Sequence, residues 1–187
     1  MAKKVYFVTG PIGSGKSTAT EYLKSKGFLT IDLDIISNEI LLSTESANFL
    51  SSNFPEALSN YAIDKQKLAN IVFQDSNKLK ILEEFLHPKI QEKLLEMLTK
   101  TDQVVFVEIS APKKIESDID YLVIFSDIET RKKRLLSRGM TINDIENRIK
   151  SQKDDDWWLN AGYTITNKNL EQLFKDIDNF LKLNNLE

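Results

Sequence analysis

Gly10-Pro11-Ile12-Gly13-Ser14-Gly15-Lys16-Ser17 follows a short β-prone run, Lys4 to Thr9, and leads into a segment with helical spacing. The run satisfies the pattern of a glycine, four residues, then Gly-Lys-Ser or Gly-Lys-Thr. Glycines allow positive φ, so successive N–H groups can converge on phosphate oxygens. The helix that starts there adds its unsatisfied N–H groups and the positive end of its dipole. Lys16 brings a mobile point charge to a polyphosphate, and Ser17 offers a hydroxyl to Mg²⁺. Gly13, Ser14, Gly15, Lys16, Ser17 and Thr18 are therefore candidate nucleotide ligands, and Ser17 is the candidate metal ligand. A bare glycine-rich turn does not account for three glycines, a lysine and a hydroxyl in this order.

The surrounding chain predicts an α/β fold. After the loop, Ala19, Tyr22 and Leu23 share a helical face, Gly27 is placed to terminate the helix, and Phe28–Asp32 reads as a second strand. Strand, helix and strand in about thirty residues form a βαβ unit with parallel strands. From Asp34 to about Lys100 the strand signal disappears, and helical spacing appears around 34–43, 64–75, 77–86 and 88–100. Asp64 suits an N-cap and Pro88 the first turn of a helix. Near-continuous apolar strands return at Val104–Ile109 and Tyr121–Ser126, as in a parallel sheet covered on both faces. Helical stretches at about 128–138 and 141–153, a fifth strand at Tyr163–Asn167 and an amphipathic helix carrying Leu170, Leu173, Phe174, Ile177 and Phe180 complete the chain.

Composition removes several function classes. The 187 residues hold 25 basic and 28 acidic side chains, a net charge of −3, so no overall cationic field favours nucleic acid or an anionic membrane. Cysteine is absent and there is one histidine, which excludes disulfides, thiolate chemistry and a multi-histidine metal cluster. No apolar run approaches the ~20 residues of a membrane span, and the run after Met1-Ala-Lys-Lys breaks at Thr9-Gly10 before it becomes a signal sequence. The expectation from composition is a cytoplasmic protein with no nucleic-acid or membrane partner.

Further candidates lie at strand ends, where ligands collect in open α/β sheets. Asp32 and Asp34 close the second strand; if the strand persists, their carboxylates point to one side. Asp34 can take a proton from an incoming hydroxyl or cap the following helix. Glu108 reads as a water-mediated magnesium contact or a solvated strand end. Between 131 and 138, Arg131, Lys132, Lys133, Arg134 and Arg138 are basic. Arg134 and Arg138, four apart, repel unless an anion lies between them, which ATP phosphates supply. Arg131, Lys132 and Lys133 read as solvated cations near a helix end, and Arg148 is a further candidate from the next helix. His87 is substrate-side or structural. Trp157 and Trp158 anchor a segment or stack on a base. Asn167 reads adenine or ends its strand.

Taken together, these features resemble the dephospho-CoA kinase family. The matching residues are Gly13–Thr18, Ile31–Asp34, Asp64–Leu68 with Val72-Phe73, Leu86-His87-Pro88 with Ile90-Gln91, Lys133-Arg134 with Arg138, Arg148-Ile149 with Gln152, and Ala161–Asn167. The resemblance implies a three-layer P-loop NTPase fold with a five-stranded parallel sheet, and ATP- and Mg²⁺-dependent phosphorylation of the ribose 3′-hydroxyl of dephospho-CoA. It implies a core of 1–33, 101–135 and 160–187, a helical acceptor-binding subdomain at about 34–100 and a lid at about 136–159. Lys16, Asp34, Arg134 and Arg138 would be catalytic, the arginines belonging to the lid. Asn167 would join the loop at the nucleotide, and Asp32, Asp34, Lys65 and His87 would face the acceptor. The chain departs from the family at Pro11 and Gly162, where glycine and aspartate are usual, at Lys65 in place of arginine, and at Glu108–Pro112. Another P-loop small-molecule or nucleoside-monophosphate kinase, and a non-catalytic nucleotide-binding switch, are the alternatives.

Overall fold

The computed structural model describes residues 4–59, 62–110, 112 and 119–186. Its elements run β1 (Val5–Thr9), α1 (Lys16–Ser25), β2 (Leu29–Asp32), α2 (Leu33–Leu41), α3 (Thr44–Asn53), β3 (Leu58–Ser59), β4 (Ala62–Ile63), α4 (Lys65–Gln74), α5 (Ser76–Thr99) and β5 (Val105–Glu108). They continue with β6 (Asp120–Phe125), α6 (Ile128–Ser137), α7 (Ile142–Lys150), α8 (Asp155–Leu159), β7 (Tyr163–Thr166) and α9 (Leu170–Leu183). The chain divides into two compact units, Met1–Asp32 with Asp102–Glu187, and Leu33–Thr101.

The first unit is an α/β sandwich. Its five strands lie in the order β2-β5-β1-β6-β7, and every pairing is parallel. Side chains alternate as a pleated strand requires. Tyr6, Val8, Leu122 and Ile124 face one way, into a core with Ala19 and Leu23 of α1 and Leu173, Ile177 and Phe180 of α9. Phe7, Tyr121, Val123 and Phe125 face the other, where Trp158 of α8 is 1% exposed. Burying both faces explains the continuous apolar strands. The loop after β1, the central strand, opens at the carboxyl edge of the sheet, the ligand side of such folds.

Gly27 ends α1 as expected, at φ 93°: its N–H donates to Lys24 O, and Phe28 N–H donates to Leu23 O. Leu170 departs from the expected α9 stripe, being exposed while Leu173 and Ile177 are buried. α8 was not expected, and it makes Trp158 a core anchor whose Nε1 donates to Lys153 O at 3.1 Å, not a base-stacking platform. Trp157 packs edge-on against Trp158.

The second unit is mainly helical. Its core holds Leu50, Phe54, Leu68, Val72, Leu82 and Leu86, with Phe49 stacked on Phe85 at 3.8 Å. Asp64 caps α4, its carboxylate accepting from Gln66 and Lys67 N–H. Three local expectations fail here. A short antiparallel hairpin, β3 with β4, interrupts the helices. The two helices expected on either side of His87 are one, α5, which runs through Pro88. Proline removes one backbone hydrogen bond, while burial of Leu82 and Leu86 on the preceding turns holds the helix together. α2 begins at Leu33, so the strand does not persist to Asp34, and Asp34 stands in the first turn of a helix instead of alternating with Asp32.

Candidate active site

The phosphate loop has the backbone its glycines predict. At Gly10, φ is 147°, and a Cβ there would stand 2.0 Å from Ile124 O, so only glycine lets the loop leave β1 this close to β6. Gly15 is the N-cap of α1 in the left-handed region, φ 103°. It has no side chain to offer the amides of the first helical turn, and among the described residues no side-chain hydrogen bond caps this helix. The first N–H groups of a helix lack intrahelical partners, so an anion fits this end. Lys16 Nζ donates to Gly10 O at 3.0 Å and to Pro11 O at 3.4 Å, holding the ammonium over the loop. Pro11 offers no N–H, and its carbonyl accepts from Ser14 N–H at 3.2 Å.

A set of polar side chains fastens the loop from outside. Ser14 O accepts from Asn167 Nδ2 at 2.7 Å and from Arg134 Nη1 at 3.1 Å. Arg134 Nη1 also donates to Ser126 Oγ at 2.9 Å, and Nη2 donates to Asn167 O at 3.2 Å. Burial lowers the Arg134 guanidinium from its ordinary value; Asp127 opposes this and Arg138 reinforces it. Ile12 N–H donates to Gln152 Oε1 at 2.8 Å, tying the segment after α7 to the loop.

These contacts revise several expectations. Arg134 stands on α6, outside the 136–159 segment, and fastens the loop's carbonyls. Asn167 is 3% exposed, and both ends of its amide are engaged, by Ser14 O and Arg134 Nη2. Arg131 is no solvated cation: it is 3% exposed, and Nη2 donates to Asp155 Oδ1 at 2.6 Å, pinning α8 to α6. Glu108 is no solvated strand end: it is 7% exposed, and its oxygens accept from Ser17 Oγ at 2.9 Å and Thr20 Oγ1 at 2.7 Å. The glycine at 162 has a steric cause, because a Cβ there would come within 2.4 Å of Tyr121 O.

Gly15, Thr18, Arg134, Arg138, Asn167, Asn169 and Leu170 line a cleft of about 350 Å³ beside the loop. Arg138, exposed at the end of α6, and Arg134 thus share a concavity. Arg148 is exposed on α7. Asp34, Lys65 and His87 are all exposed and belong to the helical unit, with Lys65 at the start of α4 and His87 midway along α5. In the Glu108–Pro112 segment, Ala111 lies outside the described residues.

The donor set suits magnesium and a nucleotide. Ser17 offers an exposed hydroxyl oxygen, and Asp32 lies in register beside Glu108 on the neighbouring strand. Among the described residues no group of three or more His, Cys, Asp or Glu side chains is placed to hold a metal by itself.

A parallel sheet of this order, with a glycine-rich loop leading from the central strand into an uncapped helix, defines a P-loop nucleotide-binding fold. A sequence model of the dephospho-CoA kinase family matches residues 5–172. A dephospho-CoA kinase of Fusobacterium nucleatum is 34% identical over 96% of this chain and 98% of its own length. The structure of a dephospho-CoA kinase from Campylobacter jejuni is similar with a TM-score of 0.69 at 31% identity, covering 97% of this chain and 99% of that one. A Thermus thermophilus structure reaches a TM-score of 0.89 at 27% identity, covering 98% of both chains. The chain belongs to the dephospho-CoA kinase family. ATP as phosphoryl donor and a small-molecule substrate go with that family, and no described helix is long and apolar enough to cross a membrane.

Proposed function

We propose that this protein transfers the γ-phosphoryl group of ATP to the ribose 3′-hydroxyl of dephospho-CoA, giving CoA and ADP. The observation that carries the reading is the start of α1: a left-handed glycine leaves the helix without a side-chain cap, and Lys16 lies over the same loop. Family membership supplies the acceptor.

In this reading the amides of Gly13–Thr18 hold the polyphosphate, and Lys16 moves from the loop carbonyls to the β- and γ-phosphates. Ser17, backed by Glu108, would hold Mg²⁺, which neutralises charge on the transferring phosphoryl group. The acceptor oxygen forms its bond to the γ-phosphorus as the bond to the bridging oxygen of ADP breaks, and the hydroxyl proton passes to Asp34. Arg138 faces the phosphates from the cleft, while Arg134 and Asn167 keep the loop in shape beside the nucleotide. Asp32, Lys65 and His87 stand on the acceptor side. Lys65 meets an acceptor phosphate as a point charge, without the bidentate fork of arginine. Catalysis is positioning and charge stabilisation, without a covalent intermediate.

The same reading gives the helical unit the acceptor and makes about 136–159 a lid. The enzyme would work in the cytoplasm as a monomer or weak homo-oligomer, without a nucleic-acid partner. The test is ADP release by purified protein with dephospho-CoA, with and without Mg²⁺. Turnover that requires both is expected. Turnover of AMP or another nucleotide, with none of dephospho-CoA, would make it a different P-loop kinase. ATP binding without ADP release for any acceptor would make it a switch.

A further inference from the structure

Thr20 lies on the second turn of α1, and its hydroxyl is 2.7 Å from Glu108 Oε2. Ser17, three residues earlier, places its own hydroxyl 2.9 Å from Glu108 Oε1. Glu108 is 7% exposed and Thr20 is 7% exposed, so the carboxylate has largely left water and depends on these donors. Thr20 Oγ1 has two backbone alternatives on its own helix, Ser17 O at 3.1 Å and Lys16 O at 3.4 Å. The carboxylate is both nearer and charged, which makes it the stronger acceptor.

A serine hydroxyl has one proton and two lone pairs. If Ser17 is to give a lone pair to a cation, its proton must be held elsewhere, and Glu108 Oε1 is where it points. The terminal torsion of a glutamate is broad, so one hydrogen bond does not fix the orientation of its carboxylate. A second donor on the other oxygen does. We propose that Thr20 is a positioning residue for the divalent cation: by holding Glu108 Oε2 it keeps Oε1 on the Ser17 proton and the Ser17 lone pair toward the metal.

The inference rests on the phosphotransfer reading, and the experiment separates the two. ADP binding to the full chain is measured by calorimetry in EDTA and across a Mg²⁺ titration, for the wild type, Thr20→Val and Thr20→Ser. Valine keeps the shape and removes the hydroxyl. Thr20→Val should bind ADP in EDTA like the wild type, while the Mg²⁺ concentration that gives half of the Mg²⁺-dependent gain rises about 10-fold, the low end for loss of a group behind a metal ligand. Thr20→Ser, which keeps the donor, should restore the wild-type midpoint. Thr20→Ala, which removes the hydroxyl without adding bulk, must shift the midpoint as valine does, and it serves if valine prevents folding.

A Thr20→Val protein with an unchanged Mg²⁺ midpoint overturns the inference. So does an equal loss of ADP affinity in EDTA, which marks a purely structural threonine, or a wild type whose ADP binding ignores Mg²⁺. A wild type that binds no ADP under either condition defeats the phosphotransfer reading itself, and this inference with it.

Discussion

α4 begins at Asp64, whose carboxylate accepts from the amides of Gln66 and Lys67. α1 begins at Gly15, which has nothing to offer. The contrast extends along the chain: Ser43, Asp75, Asp127, Thr141, Asp154 and Asn169 cap α3, α5, α6, α7, α8 and α9 in the same way as Asp64. A Ser, Thr, Asp or Asn cap is worth about 1 kcal/mol over alanine but only a few tenths over glycine, so Gly15 leaves the amides of α1 open at small cost. Local rules are broken where function needs the groups they would satisfy. In the proposed reading the start of α1 serves a ligand, while the capped starts of α3 to α9 serve folding.

Changes at the two kinds of helix start should therefore separate activity from stability. The largest effect falls on the uncapped end. Lys16→Ala should lower kcat/KM in the ADP-release assay by about 10²–10³-fold, the range for loss of one group that meets developing charge. Asp34→Asn, in the first turn of α2, should lower kcat by at least ~100-fold while ADP affinity measured by calorimetry stays put, as for a positioned base. An unchanged kcat would remove the base role and leave the class standing. At a capped start the outcome reverses. Asp64→Ala should cost about 1 kcal/mol, a fall of about 2–4 °C in Tm followed by circular dichroism, with little change in nucleotide affinity.

The smallest effect is a pH-dependent one, far from any helix start. Asp178 on α9 accepts from Tyr22 on α1 at 2.9 Å and from Lys26, just past the end of α1, at 2.7 Å. Burial works to raise its carboxyl, but the hydrogen bonds from Lys26 and Tyr22 outweigh it and hold the group below its ordinary value. A folded value below the unfolded value of ~3.9 stabilises the fold above that pH and is lost as pH falls through the folded value. Asp178→Asn should therefore lower Tm by about 1–3 °C at neutral pH, with the gap narrowing as the pH falls below the ~3.9 of an unfolded carboxyl. A gap that persists there would mean that shape, not charge, joins α1 to α9.

Much of the sheet unit was legible because backbone chemistry dictates letters. Phosphate cradles need glycine at Gly10 and Gly15, and a sheet buried on both faces needs the apolar runs of β5 and β6. What stayed hidden depends on partners distant in sequence. Nothing local marks Arg131 as buried, because its partner Asp155 lies 24 residues on, or Glu108, whose donors lie on α1. Asn167 matched a family motif, yet its amide fastens a loop, a role only the fold reveals. In the helical unit the misreadings came from punctuation. Pro88 looked like a boundary and is not one; the hairpin strands β3 and β4, of two residues each, are too short to show a period.

The fastening of Ser14 by Asn167 spans 153 residues of sequence. Synthesis runs from the amino terminus at about 5–20 residues per second, so the loop emerges about 8–30 s before the side chain that braces it. A nascent chain that ends before β7 carries every letter of the phosphate-binding motif, yet its loop has no Asn167 to brace it. If the loop holds phosphate as proposed, its bracing waits for β7 to be made, although the glycines and lysine that shape it come long before.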